Sequence, residues 1–203
     1  QNGHGIEYNE DDEIIYEGEW ENGVKHGPGK MYFKNGDKYL GNLKYGVIDG
    51  QGEYHYTNGQ FYVGDFKTNN ISGFGTLYDS VGSTMYCGMW LNGSFEGWGI
   101  YYQENVAIFI GYWHKGLANG FGIMIHNDKI IEIGYYKNGE FDTPKHINMI
   151  NKMHIEKLIK FQSKLNYEKL NTLINKLSKI INKEDNILKI DSNTYLHYEA
   201  FGH

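Results

Sequence analysis

The first 142 residues repeat a pattern of aromatic, glycine and polar positions. Residues 16–20 read Tyr-Glu-Gly-Glu-Trp, with the two aromatic residues and the glycine spaced two positions apart. In an extended strand every second side chain points to the same face, so Tyr16, Gly18 and Trp20 share one face and the two glutamates share the other. The stretch therefore predicts a β-strand with one aromatic face and one polar face.

The same strand pattern returns every 23 or 24 residues along the chain. Its further copies are Tyr39-x-Gly41-x-Leu43, Tyr62-x-Gly64-x-Phe66, Tyr86-x-Gly88-x-Trp90, Phe109-x-Gly111-x-Trp113 and, in part, Glu132-x-Gly134-x-Tyr136. A Gly-x-Gly pair follows each full copy, at Gly27/Gly29, Gly50/Gly52, Gly73/Gly75, Gly97/Gly99 and Gly120/Gly122. Because two independent sets of positions agree over five units, the chain contains an internal repeat.

Each unit predicts a β-hairpin. A turn such as Asn22-Gly23 follows the aromatic strand, and Asn-Gly supplies the positive φ that tight hairpins need. The Gly-x-Gly pair opens the second strand, and another Asn-Gly, such as Asn35-Gly36, leads into the next unit. We therefore expect a mainly β fold over residues 1–142. It should be an elongated, twisted antiparallel meander of stacked hairpins, with a partial repeat, five full repeats from Tyr16 and a partial sixth.

These residues resemble the MORN (membrane occupation and recognition nexus) repeat, whose pattern is approximately Tyr-x-Gly-x-Trp-x-x-Gly-x-x-x-Gly-x-Gly. The chain departs from it modestly: Leu43 and Phe66 replace the Trp, Phe109 replaces the Tyr, and the last unit starts at Glu132. The resemblance implies a scaffold, dimerisation unit or docking surface in cytoskeletal or membrane-associated assemblies.

The residues interleaved with the repeat positions differ from unit to unit. We call the face that carries the repeated aromatic and glycine residues the front face, and the opposite face the back face. Early back-face positions are polar, as at Glu17 and Asn42, whereas those from about residue 74 are apolar. Monomers seldom expose an apolar area above a few hundred Å². The sequence therefore predicts that a partner or the chain's own helix docks on Phe74, Tyr78, Met89, Leu91, Trp98, Ile100, Tyr102, Tyr112, Phe121, Ile123, Ile125 and Tyr135.

Residues 143–190 predict an amphipathic helical region, either one kinked helix or two, followed by a tail at 191–203 without a clear pattern. Thr143-Pro144 has the form of a helix start, an N-cap residue followed by Pro at the first helical position. The predicted docking side chains of this region are Ile147, Ile150, Leu158, Phe161, Leu165, Leu173, Leu177 and Ile180. They are expected to pack on the late repeats of the same chain or to bind another protein.

Charge and cysteine content narrow the function further. Residues 1–143 carry 19 acidic residues against 9 Lys, residues 144–203 carry 10 Lys against 6 acidic residues, and the chain has no Arg. The net negative charge of residues 1–143 and the absence of Arg, whose guanidinium group binds phosphate through two parallel hydrogen bonds, argue against nucleic acid as a partner. The single cysteine, Cys87, excludes an intramolecular disulfide framework, which favours an intracellular, cytoplasmic location. No apolar run approaches the 18 residues of a membrane span.

The sequence offers no catalytic constellation. The nine His residues are scattered, and no metalloprotease, nucleophile-elbow or calcium-loop motif occurs. Gly27-Pro28-Gly29 is one copy of the repeat rather than a phosphate loop, because neither Lys-Ser/Thr nor a helix follows it. The acidic run Glu10–Glu13 occupies the place of the turn at Lys34–Asp37 and is expected to be a solvated turn. We therefore predict no catalytic, cofactor-binding or metal-binding residue.

The sequence thus predicts a non-catalytic scaffold or adaptor that binds another protein through its apolar back face and C-terminal helix. A homodimer is one form of this interaction. A first alternative is a phospholipid-binding module that contacts membranes peripherally through the Lys-rich helix. A second is a regulatory fragment of a larger multidomain enzyme. Association with the cytoskeleton or a membrane is expected for the scaffold and for the phospholipid-binding module.

Overall fold

The computed structural model of the protein describes residues 2–103, 107–126, 129–145, 152–153, 155–157 and 167–182. Within these residues, thirteen strands follow one another in chain order in an antiparallel sheet, as the repeat predicts. They are β1 (Gly3–Tyr8), β2 (Ile14–Glu21), β3 (Val24–Tyr32), β4 (Lys38–Lys44), β5 (Val47–His55), β6 (Phe61–Lys67), β7 (Asn70–Tyr78), β8 (Thr84–Leu91), β9 (Ser94–Gln103), β10 (Ala107–His114), β11 (Leu117–His126), β12 (Lys129–Lys137) and β13 (Glu140–Pro144). A helix, α1, spans Tyr167–Asn182.

Tight turns close the hairpins because both central residues adopt positive φ. Asn22 and Gly23, at 51° and 79°, connect β2 to β3, and Asn92 and Gly93 have nearly the same values. This geometry matches the twist of the flanking strands, and the Asn-Gly pairs predict it. Thr68 adopts a φ of 47° at the corresponding place, although a β-branched residue rarely does so.

The front face forms the core of each hairpin through one aromatic ring packed over two glycines. Tyr62 is fully buried, and a Cβ placed on Gly64 or Gly75 would collide with its ring or hydroxyl. Tyr16, Tyr39 and Phe109 stand in the same way over the glycine pairs of their own hairpins. The tyrosine hydroxyl donates to the carbonyl three residues on, as from Tyr62 to Asp65 over 3.1 Å. The glycines thus provide space for rings.

Neighbouring units meet through edge-to-face aromatic contacts on the front face. The ring of Tyr39 lies 5.1 Å from that of Phe66, and the ring of Tyr62 lies 5.2 Å from that of Trp90. Phe109 and Tyr136 make the equivalent contact over 4.8 Å. Such T-shaped pairs are favoured by the ring quadrupoles. The aromatic residue at the third strand position therefore links one unit to the unit before it.

The acidic run forms the turn that its alignment predicts. The Asn9 N–H donates to the Glu13 carbonyl and the Asp12 N–H to the Asn9 carbonyl. The same two bonds occur in the next unit, between Phe33 and Asp37 and between Gly36 and Phe33. Asp12 takes the place of Gly36 with a φ of 61°, which Asp tolerates better than most residues.

The predicted helix start at Thr143-Pro144 is wrong. Strand β13 runs to Pro144 and completes the sixth hairpin, with Thr143 opposite Tyr135 and Pro144 opposite Gly134. Proline is tolerated there because β13 is an edge strand and needs no outward N–H. The sheet therefore extends two residues beyond the expected boundary at 142.

The chain also divides into two compact parts, Gln1–Glu96 and Gly97–His203, which are called unit 1 and unit 2. A unit without a number remains a single repeat. Unit 2 contains the described helical residues, and α1 begins at Tyr167, where the register of the apolar residues breaks in the sequence. Residues 152–153 and 155–157 are also helical. No helix in the described part of the chain is long and apolar enough to cross a membrane.

Candidate docking surfaces

The back face of the first strands is polar, as predicted, and most of its side chains are exposed. Strand β2 places Glu17 and Glu19 there, and β4 places Asn42 and Lys44 there. Glu17 and Lys30 on neighbouring strands lie 3.4 Å apart. Exposed ion pairs of this kind contribute little to stability, so these residues are available to solvent or to a partner.

The back face of unit 1 becomes more apolar at β7 and β8. Phe74, Met89 and Tyr78 are half-buried there, and Leu91 is 38% exposed. Phe74 lies directly opposite Met89 on the adjacent strand. The structure therefore brings together the four predicted docking residues of unit 1 on neighbouring strands of one face.

A row of stacked rings extends this apolar region. Phe61 stacks on Tyr78 with centroids 4.6 Å apart and planes inclined by 13°, and on His55 at 5.4 Å and 15°. All three rings are half-buried. Sequence reasoning missed His55 and Phe61 as docking candidates, although both occupy back-face positions at strand ends. Their register across β5, β6 and β7 is the signal that would have shown them.

The back face of unit 2 is largely buried within the chain itself. Trp98 is 8% exposed and makes an edge-to-face contact with Tyr112 over 6.3 Å. Phe121 makes a similar contact with Tyr135 over 5.8 Å. The predicted residues that are buried are Trp98, Ile100, Phe121, Ile123 and Ile125, and those that are half-buried are Tyr102, Tyr112 and Tyr135. Ile110 is also buried in the middle of this face.

The described helical residues of unit 2 bury an apolar stripe. Leu170, Leu173, Ile174 and Leu177 of α1 are buried, and Ile180 is half-buried. These positions recur every three or four residues, as expected for a helix that packs along one face. The predicted docking residues Ile147, Ile150, Leu158, Phe161 and Leu165 lie outside the described residues.

One hydrogen bond joins the helical segment at 155–157 directly to the sheet. The carboxylate of Glu156 accepts the backbone N–H of Ile130 on β12 over 3.0 Å. Ile155, beside it, is fully buried. Sequence reasoning missed both residues, because Ile155 lies off the predicted apolar stripe and the acceptor role of Glu156 depends on a strand 26 residues away.

The pKa values of two titratable groups on the back face, Asp65 and Cys87, are changed by their surroundings. Burial raises the pKa of Asp65, although the hydrogen bonds that it accepts from the Phe74 N–H and Gln51 lower it in part. Burial likewise raises the pKa of the Cys87 thiol. Cys87 is 2% exposed, and a buried thiol packs as a small apolar side chain. Among the described residues, no three His, Cys, Asp or Glu side chains are grouped to hold a metal ion.

Fold and surfaces together define a β-hairpin repeat protein with a front face that builds the core and a back face that varies. The MORN repeat family model matches residues 16–38, 39–61, 62–84 and 109–129. The chain therefore contains four MORN repeats between residues 16 and 129. The unit between them keeps the same framework, since Tyr86 and Trp90 are buried at the matching positions.

Comparison with solved structures gives a weaker likeness. The SAS-4 (dCPAP) TCP domain, in complex with a proline-rich motif of Ana2 (dSTIL) of Drosophila melanogaster, is 14% identical, with a TM-score of 0.36. The match covers 63% of this chain and 78% of that chain. At this level, the likeness carries no argument. No curated protein sequence matches the chain.

Proposed function

We propose that this protein is a non-catalytic scaffold that docks another protein on the back face of unit 1, while its own helical region covers the back face of unit 2. The observation that carries the proposal is the change of the back face from charged to apolar, with aromatic side chains left half-exposed in unit 1. A cytoplasmic site of action is part of the proposal.

Docking of the helical region on the sheet of unit 2 is supported by burial on both sides of the contact. The apolar residues of the sheet and the stripe of α1 are both buried in the free chain. The Glu156 bond to Ile130 fixes one point of attachment on β12. A buried residue such as Ile123, 1% exposed, needs cover from the chain itself. The helical region is the part of unit 2 whose apolar stripe fits that need.

Docking of a partner on unit 1 is supported by the kind of side chain that remains accessible. Phe61 and Tyr78 form a preformed stack whose rings are already fixed against each other. Aromatic side chains in fixed positions lose little conformational entropy on binding and dominate the energetics of interfaces. Phe74 and Met89, opposite each other on β7 and β8, add apolar area on the same face. This patch is therefore the surface that we expect a partner to bury.

Site-specific photocrosslinking tests the partner surface. A benzoylphenylalanine at Tyr78 should give a discrete adduct with a protein in a lysate of the source cells, identified by mass spectrometry. Val81 provides the matched control, because it is 84% exposed in the turn that follows β7. Phe74→Asp should abolish the Tyr78 adduct. Equal adducts at both positions, or an adduct unaffected by Phe74→Asp, would contradict the proposal.

Membrane association makes a different prediction. The exposed side of α1 carries Lys176 and Lys179, which could contact anionic lipid, but residues 1–143 are strongly acidic. We therefore expect little co-sedimentation with anionic liposomes at physiological salt. Strong co-sedimentation that Lys176→Gln and Lys179→Gln abolish would favour the phospholipid-binding alternative.

A further inference from the structure

Three parallel rows of side chains cross strands β6 to β8 on the back face of unit 1. The middle row consists of small residues that lie opposite one another on successive strands, Val63, Thr76 and Cys87. The outer rows carry larger side chains, which are Phe61 and Tyr78 on one side and Asp65, Phe74 and Met89 on the other. We propose that the three rows form a groove that binds a basic amphipathic α-helix of another protein. This inference rests on the proposed function, because it specifies the kind of segment that docks on this face.

The shape of the groove follows from side-chain size and burial. Side chains stand roughly perpendicular to a sheet, so large residues on either side of small ones form walls above a floor. Thr76 and Cys87 are buried, whereas Phe74 and Tyr78 in the two walls remain half-buried. A hydrogen bond between Thr76 and Cys87 satisfies the hydroxyl group in the floor. The floor can therefore contact apolar side chains without leaving this hydroxyl unsatisfied.

The width of the groove suits one side of a helix. On β7 the two walls are four residues apart, with Thr76 midway between Phe74 and Tyr78. Four residues of an extended strand span about 13 Å. An α-helix with its side chains is about 10 to 12 Å in diameter. The apolar stripe of a helix can therefore lie between the walls and reach the floor.

The spacing along the groove favours a helix over an extended chain. Neighbouring strands lie about 4.8 Å apart, so Val63, Thr76 and Cys87 follow one another along the groove at that interval. Residues three or four positions apart in a helix are about 4.5 or 6 Å apart along its axis, whereas alternate residues of an extended chain are about 6.7 Å apart. A helix can thus place one apolar side chain near each floor residue, and an extended chain in the same direction cannot.

The repeats of unit 2 offer a parallel to this arrangement. Ile100 and Ile123 stand at the repeat position of Thr76, and Ile110, which pairs with both, stands at that of Cys87. All three isoleucines are buried. Under the proposed function, the chain's own helical region covers that face. A helix is then the cover that the same rows take in unit 2, and the smaller floor residues leave a deeper groove in unit 1.

Charge selects a basic helix. Where the three rows cross β5 to β8 they contain no Lys, but they contain Glu53, directly opposite Val63, and Asp65 in one wall. Residues 1–96 carry 14 acidic residues against 6 Lys. A local excess of one sign attracts the opposite charge and speeds encounter. We therefore expect Lys or Arg beside the apolar stripe of the docking helix.

A second copy of this chain is a poorer occupant than another protein. Its basic helix α1 has an apolar stripe that is already buried within its own chain, at Leu170, Leu173 and Leu177. Its unit 1 has the same negative charge, and like charges across an interface are unfavourable. The occupant is therefore a helix of a different protein.

Binding of designed peptides tests this inference. The probes are fluorescein-labelled peptides of about 18 residues, or five helical turns, titrated into the 203-residue chain and followed by fluorescence anisotropy. One has Leu at helical spacing and Lys elsewhere, a second has Glu in place of Lys, and a third has the composition of the first with Leu and Lys in strand alternation. We expect the helical Leu-Lys peptide to bind, and the other two to bind at least about tenfold more weakly, because one lacks the matching charge and the other the helical stripe.

Variants assign the binding to the groove. Thr76→Phe fills the floor and should abolish binding, whereas Thr57→Phe, the same change at an exposed turn residue, should leave it within about twofold. Since Thr76→Phe places a ring in a buried position, Tyr78→Ala is a second variant that leaves the floor intact and should weaken binding by about tenfold. Glu53→Gln should weaken binding more than Glu140→Gln, which removes the same charge from β13.

Photocrosslinking supplies the direction of the helix. Peptides with benzoylphenylalanine at successive Leu positions, one helical turn apart, should give adducts with β6, β7 and β8 in order. Adducts confined to one strand, or equal binding of the alternating Leu-Lys peptide that Thr76→Phe still blocks, would overturn the helical mode of binding. The proposed function would survive either result, because the back face of unit 1 would still be the docking surface.

Other outcomes identify a different occupant or none. Peptide binding that neither Thr76→Phe nor Tyr78→Ala changes would show general electrostatic attraction and overturn the inference. If benzoylphenylalanine at Tyr78 also gives no adduct in lysate, the proposed function fails with it. In the peptide-free chain, an adduct from Tyr78 to residues 146–203 of the same molecule would show that the chain itself fills the groove. Self-association that Thr76→Phe abolishes would show that a second copy does, and either result would overturn the inference.

Discussion

Replacing Gly64 by alanine tests whether the glycines exist to accommodate rings. An alanine Cβ at this position would lie 2.5 Å from both the Gly75 Cα and the Phe74 carbonyl oxygen, and closer still to the hydroxyl of Tyr62. Relaxed contacts of this kind are about 3.5 to 4.0 Å long. Two of the three atoms belong to the backbone of the neighbouring strand, so a side-chain rotation cannot relieve the overlap.

The expected cost follows from these contacts. Overpacking of a filled core costs about 1 to 3 kcal/mol. Displacing Tyr62 also breaks its 3.1 Å hydrogen bond to the Asp65 carbonyl, worth about 1 kcal/mol. We therefore expect Gly64→Ala to lower the free energy of unfolding by about 2 to 4 kcal/mol. Gly93→Ala is the control, because no heavy atom lies within 4 Å of its Cβ position and only its φ of 78° is unfavourable, at a cost of about 1 to 2 kcal/mol.

Urea unfolding followed by far-ultraviolet circular dichroism measures both variants. The comparison requires equal m-values, since a changed slope indicates that an intermediate has appeared. In a Tyr62→Phe background, Gly64→Ala should regain at most the part of the cost that comes from the hydroxyl. If Gly64→Ala costs no more than Gly93→Ala, the glycine does not recur in the repeat to leave space for the Tyr62 ring, and the reasoning is refuted.

Three further predictions concern single side chains. Tyr62→Phe should lower the free energy of unfolding by about 1 kcal/mol, because the hydrogen bond to the Asp65 carbonyl is lost. Phe109→Tyr should raise it by a similar amount if the new hydroxyl reaches the equivalent carbonyl. Urea titrations of the two variants should therefore show changes in the free energy of unfolding of opposite sign. Burial tends to raise the pKa of Asp37, but hydrogen bonds from the Thr57 N–H, Tyr54 and Asn35 hold that pKa below its ordinary value. A carboxylate with a lowered pKa stabilises the fold above its unfolded pKa and loses that contribution as pH falls through its folded pKa. Asp37→Asn should therefore be less stable than wild type at pH 7, by about 1 to 2 kcal/mol. The difference in stability should close as the pH falls through the lowered pKa of Asp37, and a difference that stays constant with pH would contradict this. Trp98→Ala should weaken helix docking or stability by about 2 to 4 kcal/mol, because the ring is 8% exposed, and an unchanged thermal unfolding midpoint would count against it.

The repeated part of the fold could be predicted from sequence because its information is local. The period-2 aromatic pattern determines the strands, and turn residues such as Asn22-Gly23 determine the hairpins. The acidic turn could be placed by alignment with the next unit, since both make the same two backbone bonds. Repetition supplied several copies of each weak signal.

The end of the sheet was harder to predict because its signals are ambiguous. Thr143-Pro144 satisfies the rules for a helix start, yet a proline at the end of an edge strand satisfies strand rules equally well. Pairing with Gly134 and Tyr135 decides in favour of the strand, and that pairing is a tertiary contact. The bond from Ile130 to Glu156 joins residues far apart in sequence and has no counterpart among the described residues of the other repeats.

The front-face aromatic residues have a consequence for how such a chain can change length. Tyr39, Tyr62 and Phe109 each cover the two glycines of their own hairpin. Each also meets the next repeat through an aromatic residue at one fixed position, which is Phe66, Trp90 and Tyr136 in turn. Duplicating or deleting a whole repeat of 23 or 24 residues would therefore leave such a ring with its cover and its neighbour. The number of repeats and the residues of the back face can thus change independently in evolution, since a whole repeat can be gained or lost while the front-face core of the other repeats stays the same.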